Sequence, residues 1–355
     1  MKTKFVLIAL CGFILTCCGN KKPDDSIVTV DLTKNNFQEI TLYSNDFVKN
    51  WNVVKLETNE NCLVRPIDNI YPTDNFIIVY NYDKFLLFDH SGKFLRRIAE
   101  RGNGPLDINN IYSCLVDSKQ ESLYWLEWDK LGVIRVYNLK ENSFKESIPA
   151  ASGNPFASLH LINDSTFLCF PQMDNIQLCY VQDLKGDFLD GDEKLEITTG
   201  SGSMFKLKVM TFDNEWFYQG NEEDTVYNAL SKEPVVVFQK GTNPTLIYSL
   251  DEKYYTNILG LFHTSKDYIF SKSEFEIGNG LINAGQRYFV YNWKNKRTKE
   301  IKDIYIEPFD KYYKGKEMEN FFNIASSFNY KKIVIMVTDE SDDENNPTLY
   351  IGDLY

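Results

Sequence analysis

Few side chains in this chain of 355 residues are arranged for chemistry. The sequence has no His-Glu-x-x-His pattern, no Gly-x-Ser-x-Gly turn and no phosphate-binding loop. Cysteine and histidine do not occur at the spacing of a zinc site. The three histidines, His90, His160 and His263, are far apart in the sequence. We therefore expect no cofactor and no metal, and we favour a binding protein over an enzyme.

One short segment has the composition of a binding turn. The run Arg101–Pro105 has glycine at its second and fourth positions, and Asp107 follows it closely. Glycine permits positive φ, and the exposed amides of such a turn could hold an anion. Alternatively, glycine and proline only shape a tight turn that binds nothing. The candidate binding residues here are Arg101, Gly102, Asn103, Gly104 and Asp107.

The N-terminus has the pattern of a lipoprotein precursor. Lys2 and Lys4 precede an apolar run from Phe5 to Leu15, which is too short to span a bilayer but fits a signal peptide. The run ends in Leu-Thr-Cys-Cys, and Cys18 is the expected lipidation site. Cys17 is the alternative, although it would put bulky Leu15 at the −2 position. The sequence predicts a signal peptide over residues 1–17 and a polar, lipidated tether over 18–26.

The charge of the chain restricts its expected partners. The net charge is −12, and loss of Lys2 and Lys4 with the signal would make it more negative. This balance excludes nucleic acid and an anionic membrane surface as expected partners.

The cysteines beyond the signal are Cys62, Cys114, Cys169 and Cys179. Four thiols in so long a chain form no disulfide framework, and the sequence leaves open whether Cys169 and Cys179 pair or stay separate.

The elements that must position these residues are short strands. Aromatic residues make up 15% of the chain, which suits half-buried strands. Between Ile67 and Ile98, four apolar runs alternate with three tight turns. A four-stranded antiparallel meander of this size is one blade of a β-propeller.

The blade pattern recurs along the chain. Its third strand is the easiest to follow, at 85–88, 133–137, 177–181, 224–227, 288–291 and 348–351. The sequence therefore predicts an all-β, six-bladed β-propeller over residues 27–355, built from four-stranded antiparallel blades. The chain ends soon after Ile351, so the sixth blade lacks its outermost strand. We expect an N-terminal strand, either Ile27–Val30 or Trp51–Leu56, to complete that blade and close the ring.

The residues also resemble a known family. The chain is similar to the six-bladed β-propeller lipoproteins of Bacteroidetes-type bacteria, which are related to NHL-repeat propellers. The resemblance rests on the segments Val54–Thr58, Leu87–Phe94, Arg97–Pro105, Glu223–Tyr227 and Asn346–Leu349. A Gly-Glu pair commonly follows the Arg-Gly-x-Gly-Pro motif, whereas Leu106-Asp107 follows it here, and Asp107 is the nearest substitute for that acid. The resemblance implies the fold and an envelope location, and it implies no activity.

Two regions of such a propeller are candidate sites. Asp68, His160 and His263 fall on innermost strands and could face the central channel, where lactone-hydrolysing propellers hold a metal; structural, hydrogen-bonded histidines are the alternative. The loops between second and third strands emerge beside the inter-blade turns. This face would gather carboxylates with Tyr82, Trp128 and Arg101. We expect it to bind the partner, unless the loops are merely solvated and Trp128 packs within its own blade.

Three functions stay open on the sequence alone. The first is a membrane-anchored binding module for a glycan, a peptide or an envelope protein. The second is a scaffold subunit of an outer-membrane assembly, and the third is a channel hydrolase of the lactonase type. The expected location is the cell envelope, with the lipid anchor in the outer membrane.

Overall fold

A computed structural model gives the fold. It describes residues 27–355 except positions 35, 65–66, 68, 128–131, 152–156, 172–178, 192–207, 213–214, 220–223, 241–253, 264–265, 278–280, 316, 319–320, 322–324, 329–331 and 338–344. Within the described residues, no helix combines the length and the apolar character that crossing a membrane requires.

The first described elements precede blade one in the chain. They are β1 Val28–Asp31, β2 Glu39–Tyr43, the short helix α1 Ser44–Phe47 and β3 Val48–Lys55. The first three blades follow in chain order. Blade one consists of β4 Asn69–Pro72, β5 Phe76–Tyr80, β6 Lys84–Asp89 and β7 Phe94–Glu100. Blade two consists of β8 Ile111–Asp117, β9 Ser122–Glu127, β10 Val133–Asn138, β11 Ser143–Phe144 and β12 Ile148–Pro149. Blade three consists of β13 Ala157–Asn163, β14 Thr166–Pro171, β15 Tyr180–Asp183 and β16 Phe188–Gly191.

The last three blades use both ends of the chain. Blade four consists of β17 Lys208–Phe212, β18 Glu215–Gln219, β19 Thr225–Asn228 and β20 Pro234–Gln239, with β1 added. Blade five consists of β21 Tyr254–His263, β22 Asp267–Ile277, β23 Leu281–Asn292 and β24 Arg297–Ile306, with β2 and β25 Lys311–Lys314 added; the 3-10 turn Glu307–Phe309 precedes β25. Blade six consists of β26 Ala325–Phe328, β27 Lys332–Val337, β28 Thr348–Leu354 and β3.

The described strands therefore form a six-bladed propeller, as the sequence predicts. Side chains alternate between the two faces of each blade, and a neighbouring blade covers each face. In β5, for example, Ile77 and Val79 pack towards blade six, whereas Ile78 and Tyr80 pack towards blade two. Burial on both faces explains why these strands are continuous apolar runs instead of alternating ones.

The apolar core consists of layers between neighbouring blades. The described buried residues form six clusters, and each cluster joins two adjacent blades. The cluster around Val54 and Phe88 joins blade six to blade one, so the sequence of contacts returns to its start. The ring is thus closed by packing as well as by hydrogen bonds.

The ring is closed by an N-terminal strand, as expected. Strand β3 is antiparallel to β28, with Lys55 opposite Thr348 and Val48 opposite Leu354. The other candidate strand has a different place. Strand β1 is parallel to β20 of blade four, and β2 is parallel to β24 of blade five. The N-terminal chain therefore follows the rim of three successive blades, because each outermost strand offers an unpaired edge.

The register explains why Cys169 and Cys179 remain free thiols. Cys169 lies opposite Tyr180, and both face blade two. Cys179 is the neighbour of Tyr180, so it points to the other face of the sheet and packs against blade four. Burial raises the pKa of each thiol to about 12, so both stay protonated at neutral pH.

Candidate functional site

A groove of about 630 Å³ opens at one end of blade one. Three segments border it: the link from β3 to β4, the turn from β5 to β6, and the link from β7 to β8. In an antiparallel propeller blade, these connections emerge on the same face. The lining residues are Glu60, Leu63, Asn81, Asp83, Lys84, Glu100 and Arg101.

Tyr82 stands at the tip of the β5–β6 turn. Its φ is 57°, an uncommon value for a bulky side chain, and 65% of the residue is exposed. The turn holds it there, because Asn81 Oδ1 accepts the Lys84 amide at 3.1 Å and the Asn81 carbonyl accepts the Asp83 amide at 2.5 Å. The Tyr80 ring lies 6.3 Å from the Tyr82 ring beneath it. An aromatic side chain is thus presented to solvent by a hydrogen-bonded turn.

Arg101 begins the link to blade two and borders the same groove. Its amide donates to the Asp83 carbonyl at 2.5 Å, which joins the link to the β5–β6 turn. Its guanidinium lies 3.9 Å from the Asp83 carboxylate, and both side chains are more than half exposed. A pair this exposed stabilises the fold little, so the arginine is accessible to a partner.

The rest of the Arg101–Pro105 turn folds around Asp107. The Gly104 amide donates to Asp107 Oδ2 at 2.6 Å, and the Asp107 amide returns a bond to the Gly104 carbonyl at 3.2 Å. The anion that this turn meets in the structure is therefore an internal carboxylate. Asn103 lies exposed at the tip of the turn.

The two glycines are required because a side chain would not fit, and not because of an unusual backbone angle. Neither Gly102 nor Gly104 has a positive φ. A Cβ at Gly102 would overlap the Asp107 carboxylate, and a Cβ at Gly104 would lie 2.9 Å from the same oxygen. The sequence argument from positive φ is therefore wrong for this turn, because the glycines are needed for close approach of a side chain.

A buried ion pair in blade two supports this link from below. Arg135 and Glu127 are 6% and 0% exposed, and their side chains meet at 2.7 Å. Arg135 also donates to the carbonyls of Asp107 at 2.7 Å and Pro105 at 3.2 Å. Its guanidinium lies 5.2 Å from the centre of the Trp125 ring. Blade two thus fixes the backbone of the link, because the Arg135 guanidinium donates hydrogen bonds to two of the link's carbonyls.

A buried amide supports the opposite border of the groove. Asn346, in blade six, accepts the Val64 amide at 3.0 Å. Its Nδ2 donates to the carbonyls of Glu57 at 2.6 Å and Cys62 at 2.8 Å. The link from β3 to β4, which carries Glu60 and Leu63, is therefore held by a neutral side chain.

The chemistry that the groove offers is binding of polar groups. Glu60, Asp83 and Glu100 supply carboxylates, whereas Lys84 and Arg101 supply cations. Charges of both signs near the exposed Tyr82 ring can pair with ions, accept hydrogen bonds and cover an apolar surface. Among the residues that the structure describes, no three His, Cys, Asp or Glu side chains come close enough to hold a metal ion.

The two described channel candidates, His160 and His263, lie on the innermost strands of blades three and five. His160 lies on the innermost strand β13, with its ring 5.8 Å from Phe170 and 5.9 Å from Trp216 of blade four. Burial lowers its pKa to about 3, so it is neutral at physiological pH. His263 is the last residue of β21, opposite Tyr268. Asp68 lies outside the described residues.

Two further candidates also lie outside the described residues. They are Trp128, which was expected on the binding face, and the lipidation candidate Cys18. The structure thus places Arg101 in the lining of the groove, Tyr82 between the lining residues Asn81 and Asp83, and Gly102, Asn103, Gly104 and Asp107 in the turn that follows Arg101.

The buried residues that position the borders of the groove, Arg135, Glu127 and Asn346, were not predicted from the sequence. Arg135 stands inside the apolar strand Val133–Tyr137, and Glu127 ends another apolar strand. A charged residue in a buried strand requires a partner, so the positions of Arg135 and Glu127 in apolar strands could have identified them as an ion pair. Asn346 begins the segment Asn346–Leu349, which carries part of the family resemblance, but no local feature shows that it contacts a link almost 290 positions earlier.

The comparisons place the chain in a family. The family model described as "Domain of unknown function (DUF4934)" matches residues 27–350. The chain belongs to this family. The match covers the propeller from its first rim strand to the third strand of the last blade. A search of curated proteins finds no relative of this DUF4934 member.

One solved structure supports the fold, and two others are similar at lower scores. A crystal structure from Bacteroides fragilis NCTC 9343, described as "Putative exported protein", has 16% sequence identity and a TM-score of 0.55, covering 93% of this chain and 100% of that one. The C-terminal WD40 domain of Sif2 has 10% identity and a TM-score of 0.40 over 81% of each chain. Kluyveromyces lactis Hsv2 has 12% identity and a TM-score of 0.34, covering 62% of this chain and 73% of that one. At 16% identity the likeness of the DUF4934 chain to the Bacteroides fragilis protein concerns the fold alone.

Proposed function

We propose that this protein is an exported, lipid-anchored binding module of the cell envelope, and that it binds a polypeptide partner in the groove beside blade one. The observation that carries the proposal is the exposed Tyr82 on a turn whose next residue, Asp83, is hydrogen-bonded and ion-paired to Arg101 at the border of the groove. Tyrosine and arginine are enriched among the residues that dominate binding energy. Functional residues commonly lie on loops that a rigid scaffold positions.

The charges of the groove favour a polypeptide over a glycan or a simple anion. Three carboxylates and two cations border it, together with the partly exposed Leu63. A peptide segment offers charges of both signs, backbone amides and apolar side chains, and so matches this combination. A scaffold role in an outer-membrane assembly would use the same surface, because docking to a membrane protein is also polypeptide binding.

The envelope location is supported by two observations. The N-terminal residues have the lipoprotein pattern that ends at Cys18. The structurally similar Bacteroides fragilis protein carries a description as exported. An outer-membrane anchor and a relation to NHL-repeat propellers belong to the same proposal.

A photo-cross-linking residue in place of Tyr82 tests the groove in cells. We expect a polypeptide adduct that is absent when the same residue replaces Tyr355, which is 46% exposed at the C-terminus. With the captured polypeptide as ligand, Tyr82→Ala and Arg101→Ala should each weaken binding about 30-fold, the equivalent of about 2 kcal/mol. Tyr355→Ala and Arg297→Ala are the matched controls. The groove is excluded as the binding surface if Tyr82→Ala and Arg101→Ala both bind with wild-type affinity.

A further inference from the structure

Blade five has an outer edge that the blade pattern does not require. Strand β24 pairs with β23 along its first half and with β25 along its second half. Strand β2 covers the other side of β24. The rim of blade five is therefore extended by two short strands.

Three tyrosines form a row across these strands. Tyr43 lies opposite Tyr305, and Tyr305 lies opposite Tyr312. The ring centres are 5.8 Å apart in the first pair and 4.6 Å apart in the second. The neighbouring residues Leu42, Ile304 and Tyr313 point the other way and are buried against blade six. The tyrosine row thus occupies the face of the extended rim that points away from blade six.

Two of the three tyrosines in the row are exposed to solvent, although their rings are largely apolar. Tyr43 is 42% exposed and Tyr312 is 46% exposed. The Tyr305 hydroxyl donates to Asp310 at 2.7 Å, which raises the pKa of Tyr305 to about 12. The Lys314 ammonium lies 5.2 Å from the centre of the Tyr312 ring. These are neutral amphipathic rings with a cation beside them.

Charges of both signs surround the row, and the acidic residues are in excess. The cations Lys302, Lys311 and Lys314 share this rim with Glu39, Asp46, Asp303, Glu307 and Asp310, and Lys302 is already paired with Glu39. The chain as a whole carries a net charge of −12. An anionic surface would therefore be repelled, whereas a zwitterionic surface meets both signs of charge.

The position of the N-terminus indicates what covers the row. The described chain begins on the rim of blade four, where β1 pairs with β20, and Tyr43 lies on the rim of the next blade. Eight residues separate Cys18 from Ile27. Fully extended, they reach at most about 30 Å. A lipid at Cys18 would therefore keep this part of the rim close to the membrane.

We infer that the Tyr43–Tyr305–Tyr312 row contacts a zwitterionic lipid surface, so that the propeller stands edge-on to the membrane. This inference rests on the proposed lipid anchor. Tyrosine is enriched at membrane interfaces, and lysine stems extend along apolar surface while the ammonium stays hydrated. Edge-on contact through blade five leaves the groove of blade one, which opens on a face of the disc, accessible to a partner from the side.

Footprinting of the full-length, acylated protein tests this contact. The protein carries a specific protease site between Asn20 and Lys21 and is reconstituted in phosphatidylcholine vesicles. Hydroxyl-radical labelling of Tyr43 and Tyr312 is measured on the vesicles and again after protease release. We expect at least fivefold less labelling on the vesicles. Labelling of Tyr82, which is 65% exposed, should not change and serves as the internal control.

The outcomes separate the inference from the anchor. Acyl labelling and flotation report the anchor independently of the tyrosines. If the protein is acylated and floats but Tyr43 and Tyr312 react equally in both states, the edge-on contact is wrong and the anchor stands. Equal protection of Tyr82 would mean that a face of the disc lies on the membrane. Absence of acylation would overturn both proposals.

Discussion

The two links that border the groove are held by different chemistry. The link from β7 to β8 is held by Arg135, whose charge is compensated by Glu127 in a buried position. The link from β3 to β4 is held by Asn346, a neutral amide that is 4% exposed. Both supports use one side chain to bind carbonyls of a link at a blade boundary. They differ in what remains behind when that side chain is removed.

The difference predicts how strongly the groove depends on each support. Removing one member of a buried ion pair leaves an uncompensated charge, whereas removing an amide leaves only unpaired polar groups. The Arg101 border should therefore be more sensitive to mutation than the Glu60 border. The buried pair also fixes orientation, because a guanidinium has a planar array of donors.

The largest expected effect is that of Arg135→Met. It removes the cation that compensates the buried Glu127 and the donor to the carbonyls of Pro105 and Asp107. We expect a loss of about 4 kcal/mol in the free energy of unfolding, measured by denaturant titration. The double variant Arg135→Met/Glu127→Gln should recover part of it, because the introduced amide is neutral and its oxygen can still accept from Trp125 Nε1. A single variant as stable as wild type would contradict this account.

A smaller effect is expected from Asn346→Ala. The substitution removes the partner of the Val64 amide and of the carbonyls of Glu57 and Cys62. Unsatisfied buried groups cost about 1–3 kcal/mol each, and water entering the space left by the side chain offsets part of this. We expect a net loss of about 2 kcal/mol. Asn103→Ala, at an exposed position, should change stability by less than about 0.5 kcal/mol. Equal effects at the two asparagines would refute the role of Asn346.

The sequence predicts the blades well because their signal is local. The run Phe76–Tyr80 and the turn after it fall within one hairpin, so apolar runs and turn residues suffice to place them. Ring closure by an N-terminal strand was also predicted, and β28 does pair with β3, which covers its open edge. The parallel pairing of β1 with β20 was not predictable, because the two strands are about 200 positions apart and a short apolar strand fits several edges.

The candidate site was predictable only in its exposed part. Tyr82 and Arg101 fall in connections whose face follows from blade topology. Their support by Arg135 and Asn346 depends on contacts between blades, which local sequence does not specify. Gly102 shows the same limit. Glycine is required there because of the nearby Asp107 carboxylate, and not because of the backbone angles of the residue itself.

The smallest expected effect concerns Gly102 and Asp107 in the more sensitive link. Gly102→Ala would place a Cβ against the Asp107 carboxylate and displace it from the Gly104 amide. We expect a loss of about 1.5 kcal/mol, typical of overpacking a tight site. In an Asp107→Ala background the carboxylate is absent, so the same substitution should cost less than about 0.5 kcal/mol. A double-mutant cycle of unfolding free energies measures the difference. Additive effects would show that Gly102 is required for another reason, such as its backbone conformation. A coupling of about 1 kcal/mol would show that the link from β7 to β8 is built around its own carboxylate.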